Sequence, residues 1–160
     1  MLIALERRRL LKIVGAFFCA HAVWPAEAKA PTLPAQRVTL AAFLDVLLPR
    51  DALSGSATDL QVDAQLLALA KSDARLARLI GLGCQWLNLT GGPPFAQLTP
   101  EQQIAVVDWM SQSDWNEIPR RFYELVRQLA GELYFSDPRS WVGLPIQRPP
   151  QPAGYPPPWA

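Results

Sequence analysis

Apolar residues recur at helical spacing from about residue 39 to residue 135, and the chain then becomes crowded with proline. No stretch alternates with period two, so the pattern does not favour strands. From Pro138 to Ala160 the chain has eight prolines in 23 residues. Proline lacks a backbone donor and cannot continue a helix or a central strand. The sequence therefore predicts an all-α protein, a small irregular bundle of about five helices with an extended proline-rich C-terminal tail.

Caps, breakers and apolar spacing predict the first three helices. The first follows a candidate cap at Thr39 and ends at Pro49. The second follows a cap at Thr58 or Asp59. The third opens at Asp73 and stops before a Gly-Gly-Pro-Pro turn.

The sharpest local signal is Thr99-Pro100-Glu101-Gln102. A threonine cap, a proline at the first helical position and the following glutamine satisfy the exposed amides of a helix start. We expect the fourth helix, which begins here, to bury Ile104, Val107 and Met110. A fifth helix then presents an apolar face made of Ile118, Phe122, Leu125, Val126, Leu129 and Leu133.

The start of the chain has the pattern of a twin-arginine export signal, which is used by proteins that fold before they cross the membrane. Glu6 departs from the usual motif, whereas four residues match it: Arg7, Arg8, Leu11 and Lys12. A positively charged region of the general secretory route is the competing interpretation. The twin-arginine interpretation predicts a periplasmic protein.

An apolar run from Ile13 to Trp24 follows the arginines. It is far shorter than the roughly 20 apolar residues of a membrane-spanning helix. We therefore predict a signal peptide over residues 1–28, with Ala26 and Ala28 as the small residues of its cleavage site. The mature chain then divides into a helical domain over residues 29–137 and a partner-docking tail over residues 138–160.

The predicted mature chain lacks the residues that many catalytic and metal sites need. The only histidine is His21, in the signal, and Cys84 is the only cysteine after residue 28. This composition excludes Ser-His-Asp and Cys-His catalysis, histidine metal sites and cysteine-bound iron–sulfur clusters. Removal of the signal leaves 11 basic and 12 acidic residues, without the basic excess of a nucleic-acid-binding protein. We expect no catalytic, cofactor-binding or metal-binding residues in this chain.

Several other residues are better explained by structure than by a site. Cys84 lies on the apolar face of the third helix, so we expect a buried structural thiol. Gly81 and Gly83 lie within the same helix, where they are expected to permit close helix packing. Arg120 is expected to pair with Glu124 or to face solvent.

Short stretches with characteristic residue order occur along the whole mature chain. They are residues 43–51 with Ser56-Ala57-Thr58-Asp59, residues 95–99, residues 122–127, and residues 132–138, and they are followed by residues 141–145 and Gly154-Tyr155-Pro156. Together they resemble the gluconate 2-dehydrogenase subunit 3 family, the small subunits of bacterial FAD-dependent sugar and alcohol dehydrogenases.

The resemblance implies a non-catalytic subunit that binds a large flavoprotein of the glucose-methanol-choline (GMC) oxidoreductase type. It implies that FAD is bound by the partner, that the flavoprotein is exported with the small subunit, and that a cytochrome c subunit accepts the electrons. Membrane association would then arise only through the complex. A free-standing periplasmic helical module that binds a ligand or peptide is the alternative.

The last helix and the tail are the expected partner interface. Extended proline-rich segments lose little entropy on binding, and aromatic residues are frequent anchors at interfaces. The tail is expected to dock either on the chain's own body or on the partner. The candidate anchors are Tyr134, Phe135, Asp137, Pro138, Trp141, Tyr155 and Trp159.

Overall fold

The computed structural model describes residues 33–89 and 92–145, with side chains from residue 36 onward. These residues form five α-helices: α1 Leu33–Leu47, α2 Val62–Ser72, α3 Ala74–Asn88, α4 Pro100–Gln112 and α5 Ile118–Ser136. Two short 3₁₀ helices, Phe95–Gln97 and Pro138–Trp141, precede α4 and follow α5. The described residues contain no strand, so the predicted all-α class is confirmed. The predicted signal and the tail beyond residue 145 lie outside the described residues.

Two of the predicted helix starts are confirmed by their side-chain hydrogen bonds. Asp73 caps α3, because its Oδ1 accepts hydrogen bonds from the amides of Arg75 at 2.8 Å and Leu76 at 3.2 Å. At the start of α4, Thr99 Oγ1 accepts from the Gln102 amide, and Gln102 Oε1 accepts from the Thr99 amide. This is a complete capping box.

Two other predicted starts are wrong, because the residues chosen as caps form tertiary contacts instead. Thr39 lies inside α1, is buried, and its hydroxyl accepts a 2.8 Å hydrogen bond from Asn88 Nδ2. Thr58 and Asp59 lie in the turn that precedes α2, which begins after Gln61. The Thr58 hydroxyl donates to Asp45 of α1, and the Asp59 carboxylate binds Ser56 and Arg50 of the loop.

Aromatic rings from three elements form the centre of the core. The ring of Phe43 on α1 lies 4.9 Å from that of Phe122 on α5 and 6.3 Å from that of Phe95. All three rings are fully buried. Gly83 on α3 lies directly against Phe122, since a Cβ at this position would overlap the ring. The predicted packing role is therefore confirmed for Gly83, whereas a Cβ on Gly81 would meet only an ordinary 3.5 Å contact.

The buried face of α5 follows a four-residue repeat made of Phe122, Val126, Ala130 and Tyr134. The predicted Leu125, Leu129 and Leu133 are only partly buried and pack around this face. On α4, Val107 and Met110 are buried as expected, but the prediction for Ile104 is wrong because its side chain is 58% exposed. Val106 is buried instead. A strict three-residue spacing drifts around a helix, so it does not identify the buried face over two turns.

Cys84 is fully buried on α3, and its Sγ donates a hydrogen bond to the backbone carbonyl of Gln36. Burial raises the pKa of its thiol to about 12. The thiol is therefore protonated at neutral pH, and the predicted structural role is confirmed. None of the helices in residues 33–89 and 92–145 has the length and hydropathy of a membrane span.

Candidate partner interface

The loop between α1 and α2 is held in shape by carboxylates. Asp45, on α1, accepts hydrogen bonds from both the amide and the hydroxyl of Thr58, at 2.9 and 2.7 Å. Asp51 Oδ1 accepts from the amides of Leu53 and Ser54, at 2.7 and 2.6 Å. The backbone of this loop therefore has a fixed path before any partner binds.

Asp59 completes the loop from its C-terminal side. Its Oδ2 accepts a 2.7 Å hydrogen bond from the Ser56 amide, and its Oδ1 lies 2.6 Å from the guanidinium of Arg50. The two residues of this ion pair flank the loop. The contact therefore joins its two ends.

The loop carboxylates should titrate below their ordinary range. Hydrogen bonds from the amides of Ser54 and Leu53 lower the pKa of Asp51, and the amide of Ser56 lowers the pKa of Asp59. Because the pKa of each carboxyl is lowered, its contacts stabilise the fold fully at pH values above its ordinary pKa of 3.8. This stabilisation is lost as the pH falls through the lowered pKa.

In an NMR titration, we expect the amide chemical shifts of Leu53, Ser54 and Ser56 to change with midpoints below pH 3.8. Midpoints at or above this value would contradict the hydrogen-bonded loop.

Two contacts join this loop to the C-terminal end of α5. Tyr134 is buried, and its hydroxyl donates a 2.7 Å hydrogen bond to the backbone carbonyl of Gly55. Gly143 has a φ of 86° and lies against the side chain of Leu53, which a Cβ at this position would overlap. The loop, α5 and the segment after α5 thus form one surface.

The segment after α5 turns sharply through residues that sequence reasoning selected as anchors. Asp137 Oδ1 accepts from the Arg139 amide at 2.9 Å, and its carboxylate pairs with the Arg139 guanidinium at 2.6 Å. This guanidinium lowers the pKa of Asp137. Pro138 begins the 3₁₀ helix, and Trp141 Nε1 donates a 2.8 Å hydrogen bond to the carbonyl of Phe135. These contacts fix the orientation of the turn.

Apolar side chains that are exposed or partly buried lie on the elements that these contacts join. Phe135 is 55% exposed and Leu53 is 61% exposed. Val142 and Leu144, which flank Gly143, are 55% and 49% exposed. We call the surface formed by Leu53, Phe135, Trp141, Val142 and Leu144 the C-terminal patch. Apolar side chains grouped in this way on a folded surface are typical of protein–protein contacts.

A family model described as gluconate 2-dehydrogenase subunit 3 matches residues 34–143. The chain belongs to the gluconate 2-dehydrogenase subunit 3 family. The matched range contains nearly all of α1, the other four helices and the 3₁₀ helix that ends at Trp141. No curated protein and no solved structure matches the chain significantly.

Membership of the gluconate 2-dehydrogenase subunit 3 family confirms the predicted resemblance. The family description names a subunit of a multi-subunit dehydrogenase. Residues 43–51 include the end of α1 and the start of the α1–α2 loop, and residues 56–59 lie in the second half of this loop. Residues 132–138 form the end of α5 and the following turn. These stretches are distant in the sequence, and the fold brings them to the same surface. Gly154-Tyr155-Pro156 lies outside both the matched range and the described residues.

The structure separates the predicted anchors into exposed and internal residues. Phe135 and Pro138 are exposed, while Asp137 and Trp141 are partly buried and hold the turn. Tyr134 is only 5% exposed, so its ring packs in the core and offers no accessible surface to a partner. Tyr155 and Trp159 lie outside the described residues.

Sequence reasoning did not select Leu53. Its only signal is an apolar residue in an otherwise small and polar loop, Asp51-Ala52-Leu53-Ser54-Gly55. Its proximity to Gly143 depends on tertiary contacts across the domain. Local sequence patterns do not contain this information.

Trp115 is a second exposed aromatic residue, between α4 and α5. It is 61% exposed, but the Arg120 guanidinium lies over its ring, 5.6 Å from the centroid. Arg120 also pairs with Glu124 at 2.8 Å, which confirms the predicted ion pair. Arg120 therefore covers one face of the Trp115 ring and pairs with Glu124, although its buried Nε has no hydrogen-bond partner. In the described part of the chain, no three His, Cys, Asp or Glu residues are grouped as a metal site.

Proposed function

We propose that this chain is the non-catalytic small subunit of a periplasmic FAD-dependent dehydrogenase complex. It binds and stabilises a GMC-type flavoprotein subunit and carries that subunit through twin-arginine export. FAD belongs to the flavoprotein, and a cytochrome c subunit of the complex accepts its electrons. The observation that supports this proposal most strongly is the C-terminal patch, in which Phe135, Trp141, Val142 and Leu144 lie in stretches that carry the family resemblance.

The patch has the chemistry of an interface core. Phe135 and Trp141 are large aromatic side chains, a type enriched at the energetic centres of interfaces. Leu53 and Leu144 extend the apolar surface around them. Burial of such surface stabilises association by about 25 cal/mol per Å² before the costs of ordering are subtracted.

The rigidity of the patch lowers these ordering costs. The loop that carries Leu53 is fixed by Asp51 and by the Tyr134 hydroxyl, and the turn after α5 is fixed by Asp137 and the Trp141 indole. A partner therefore meets a surface whose backbone is already ordered. Preorganisation of this kind favours a stable complex.

Four titratable residues with shifted pKa values are engaged in structural contacts or buried in the core. Asp51, Asp59 and Asp137 are occupied by amides and cations of their own loops. The thiol of Cys84 is protonated and buried. Each shift thus has a structural cause.

Alanine substitutions on the patch test this function. We expect Phe135→Ala and Leu53→Ala each to weaken binding of the coexpressed FAD-dependent subunit at least tenfold, because each removes an exposed apolar contact. Ile104→Ala on α4 is the matched control, since Ile104 is similarly exposed at 58%. Affinity is measured by titration of the purified subunits, and thermal unfolding of each variant verifies its fold.

Equal affinity for all three variants would show that the C-terminal patch is not part of the interface with the flavoprotein. A chain that purifies alone as a stable monomer and does not retain the flavoprotein would instead favour the free-standing binding module. These two results can be distinguished, because the complex still forms in the first case and does not form in the second.

A further inference from the structure

Tyr134 and Gly143 both contact the loop that carries Leu53, although neither offers a side chain to a partner. The Tyr134 ring is buried, and its hydroxyl donates a 2.7 Å hydrogen bond to the carbonyl of Gly55. Gly143 has no side chain, and a Cβ at this position would overlap Cδ1 of Leu53. Any effect of these two residues on partner binding must therefore act through the loop.

The hydrogen bonds within the loop fix its shape but not its position beside α5. Asp51 Oδ1 accepts from the amides of Leu53 and Ser54, and all three residues lie in the loop itself. These bonds hold the loop together wherever it lies. Its placement beside α5 depends on contacts with α5 and with the segment that follows, and Tyr134 and Gly143 provide two of them.

Gly143 allows Leu53 to lie directly against the backbone. Its φ of 86° is in the left-handed region, which glycine adopts without a steric penalty. The atom nearest to an added Cβ is Cδ1 of Leu53, the end of a flexible and 61% exposed side chain. A methyl group at Gly143 would thus displace Leu53 rather than disturb the buried core. Because Val142 and Leu144 flank Gly143 in the chain, the displacement would also move Leu53 away from them.

We propose that Tyr134 and Gly143 are positioning residues for partner binding, which act by holding Leu53 beside Val142 and Leu144. This inference rests on the proposed interface with the flavoprotein. With both contacts present, the partner meets the loop and the segment after α5 as one surface. When either contact is lost, the apparent affinity falls with the fraction of chains in which Leu53 is in place.

The position of Leu53 can be measured by NMR in the free chain, without the partner. We expect nuclear Overhauser contacts between the methyl protons of Leu53 and the α-protons of Gly143. Tyr134→Phe removes only the hydroxyl and should weaken these contacts. Tyr123→Phe, elsewhere on α5, is the matched control and should retain them. Contacts of unchanged strength in Tyr134→Phe would overturn the role of Tyr134.

Titration of the purified FAD-dependent subunit with the full-length chain measures the effect on binding. We expect Tyr134→Phe to weaken binding about two- to tenfold, the range that one hydrogen bond supports. Gly143→Ala should weaken binding at least as much, because its methyl group displaces Leu53 directly, and it tests the proposal even if Tyr134→Phe does not fold. Gly131→Ala is its control, since a Cβ at Gly131 meets nothing within 4 Å.

A double-mutant cycle with Leu53→Ala separates positioning from a general loss of stability. If Tyr134 and Gly143 act through Leu53, neither Tyr134→Phe nor Gly143→Ala weakens binding further once Leu53 is alanine. Additive losses would overturn the proposal. Unchanged affinity of both variants, with binding still weakened by Leu53→Ala and Phe135→Ala, would overturn it while leaving the interface in place. Wild-type affinity for Leu53→Ala and Phe135→Ala would instead contradict the interface itself, and this proposal with it.

Discussion

Replacing Gly83 by alanine should lower the free energy of unfolding by about 2 kcal/mol or more, because the added methyl group overlaps the Phe122 ring. The ring cannot move away easily. Phe122 is fully buried, and its other neighbours include the Phe43 ring at a centroid distance of 4.9 Å. Relief therefore requires α3 and α5 to separate, and their separation would disturb the centre of the core. Chemical denaturation followed by circular dichroism measures the change.

Gly81→Ala is the matched control for this substitution. It lies two residues away in the same helix, and its added Cβ meets only a 3.5 Å contact with Gln36 Nε2. Alanine is the better helix former by roughly 0.5–1 kcal/mol, so we expect Gly81→Ala to be neutral or stabilising. Only the Gly83 substitution is thus expected to lower the free energy of unfolding. A Gly83→Ala variant as stable as the Gly81→Ala variant would show that the helices do not approach as described.

The proposed export role predicts that replacing Arg7 and Arg8 by lysine leaves both this chain and the proposed flavoprotein partner in the cytoplasm. Lysine preserves the positive charge but not the planar guanidinium with its fixed donor geometry, so the substitution tests the arginine pair itself. Cell fractionation followed by dehydrogenase assay of the periplasmic fraction measures the effect. We expect nearly complete loss of periplasmic activity.

Arg9→Lys is the control for this double substitution, because Arg9 follows Arg7 and Arg8 directly but is not one of the residues that match the twin-arginine motif. A general secretory signal depends on positive charge and would tolerate all of these lysines. Periplasmic activity that is unchanged in the double variant would therefore exclude coupled twin-arginine export. It would leave the interface on the C-terminal patch to be tested separately.

Predictions based on local chemistry agree with the structure. The Thr99 capping box and the Asp73 cap depend on residues within three positions of each other, and both are present. Cys84 is buried because it lies on the face of α3 that apolar spacing identifies. Short-range geometry and helical period were sufficient in these cases.

The failed predictions of helix caps concern residues whose partners lie elsewhere in the sequence. Thr39 has the chemistry of a cap, but its hydroxyl binds Asn88, 49 positions away. Thr58 binds Asp45 across the α1–α2 loop. The hydroxyl of the buried Tyr134 likewise binds Gly55, a partner that its residue type does not identify. A single sequence shows the capacity of these groups to form hydrogen bonds but not which partner they will find.

The hydrogen bond from Tyr134 to Gly55 joins residues that are 79 positions apart. The chain between them contains α2, α3 and α4 and most of α5. The loop with Leu53 and the end of α5 with Phe135 therefore meet only through the tertiary fold. Incomplete or misassembled chains would therefore lack the composite surface. Recognition of this surface would make partner binding a checkpoint for completed folding.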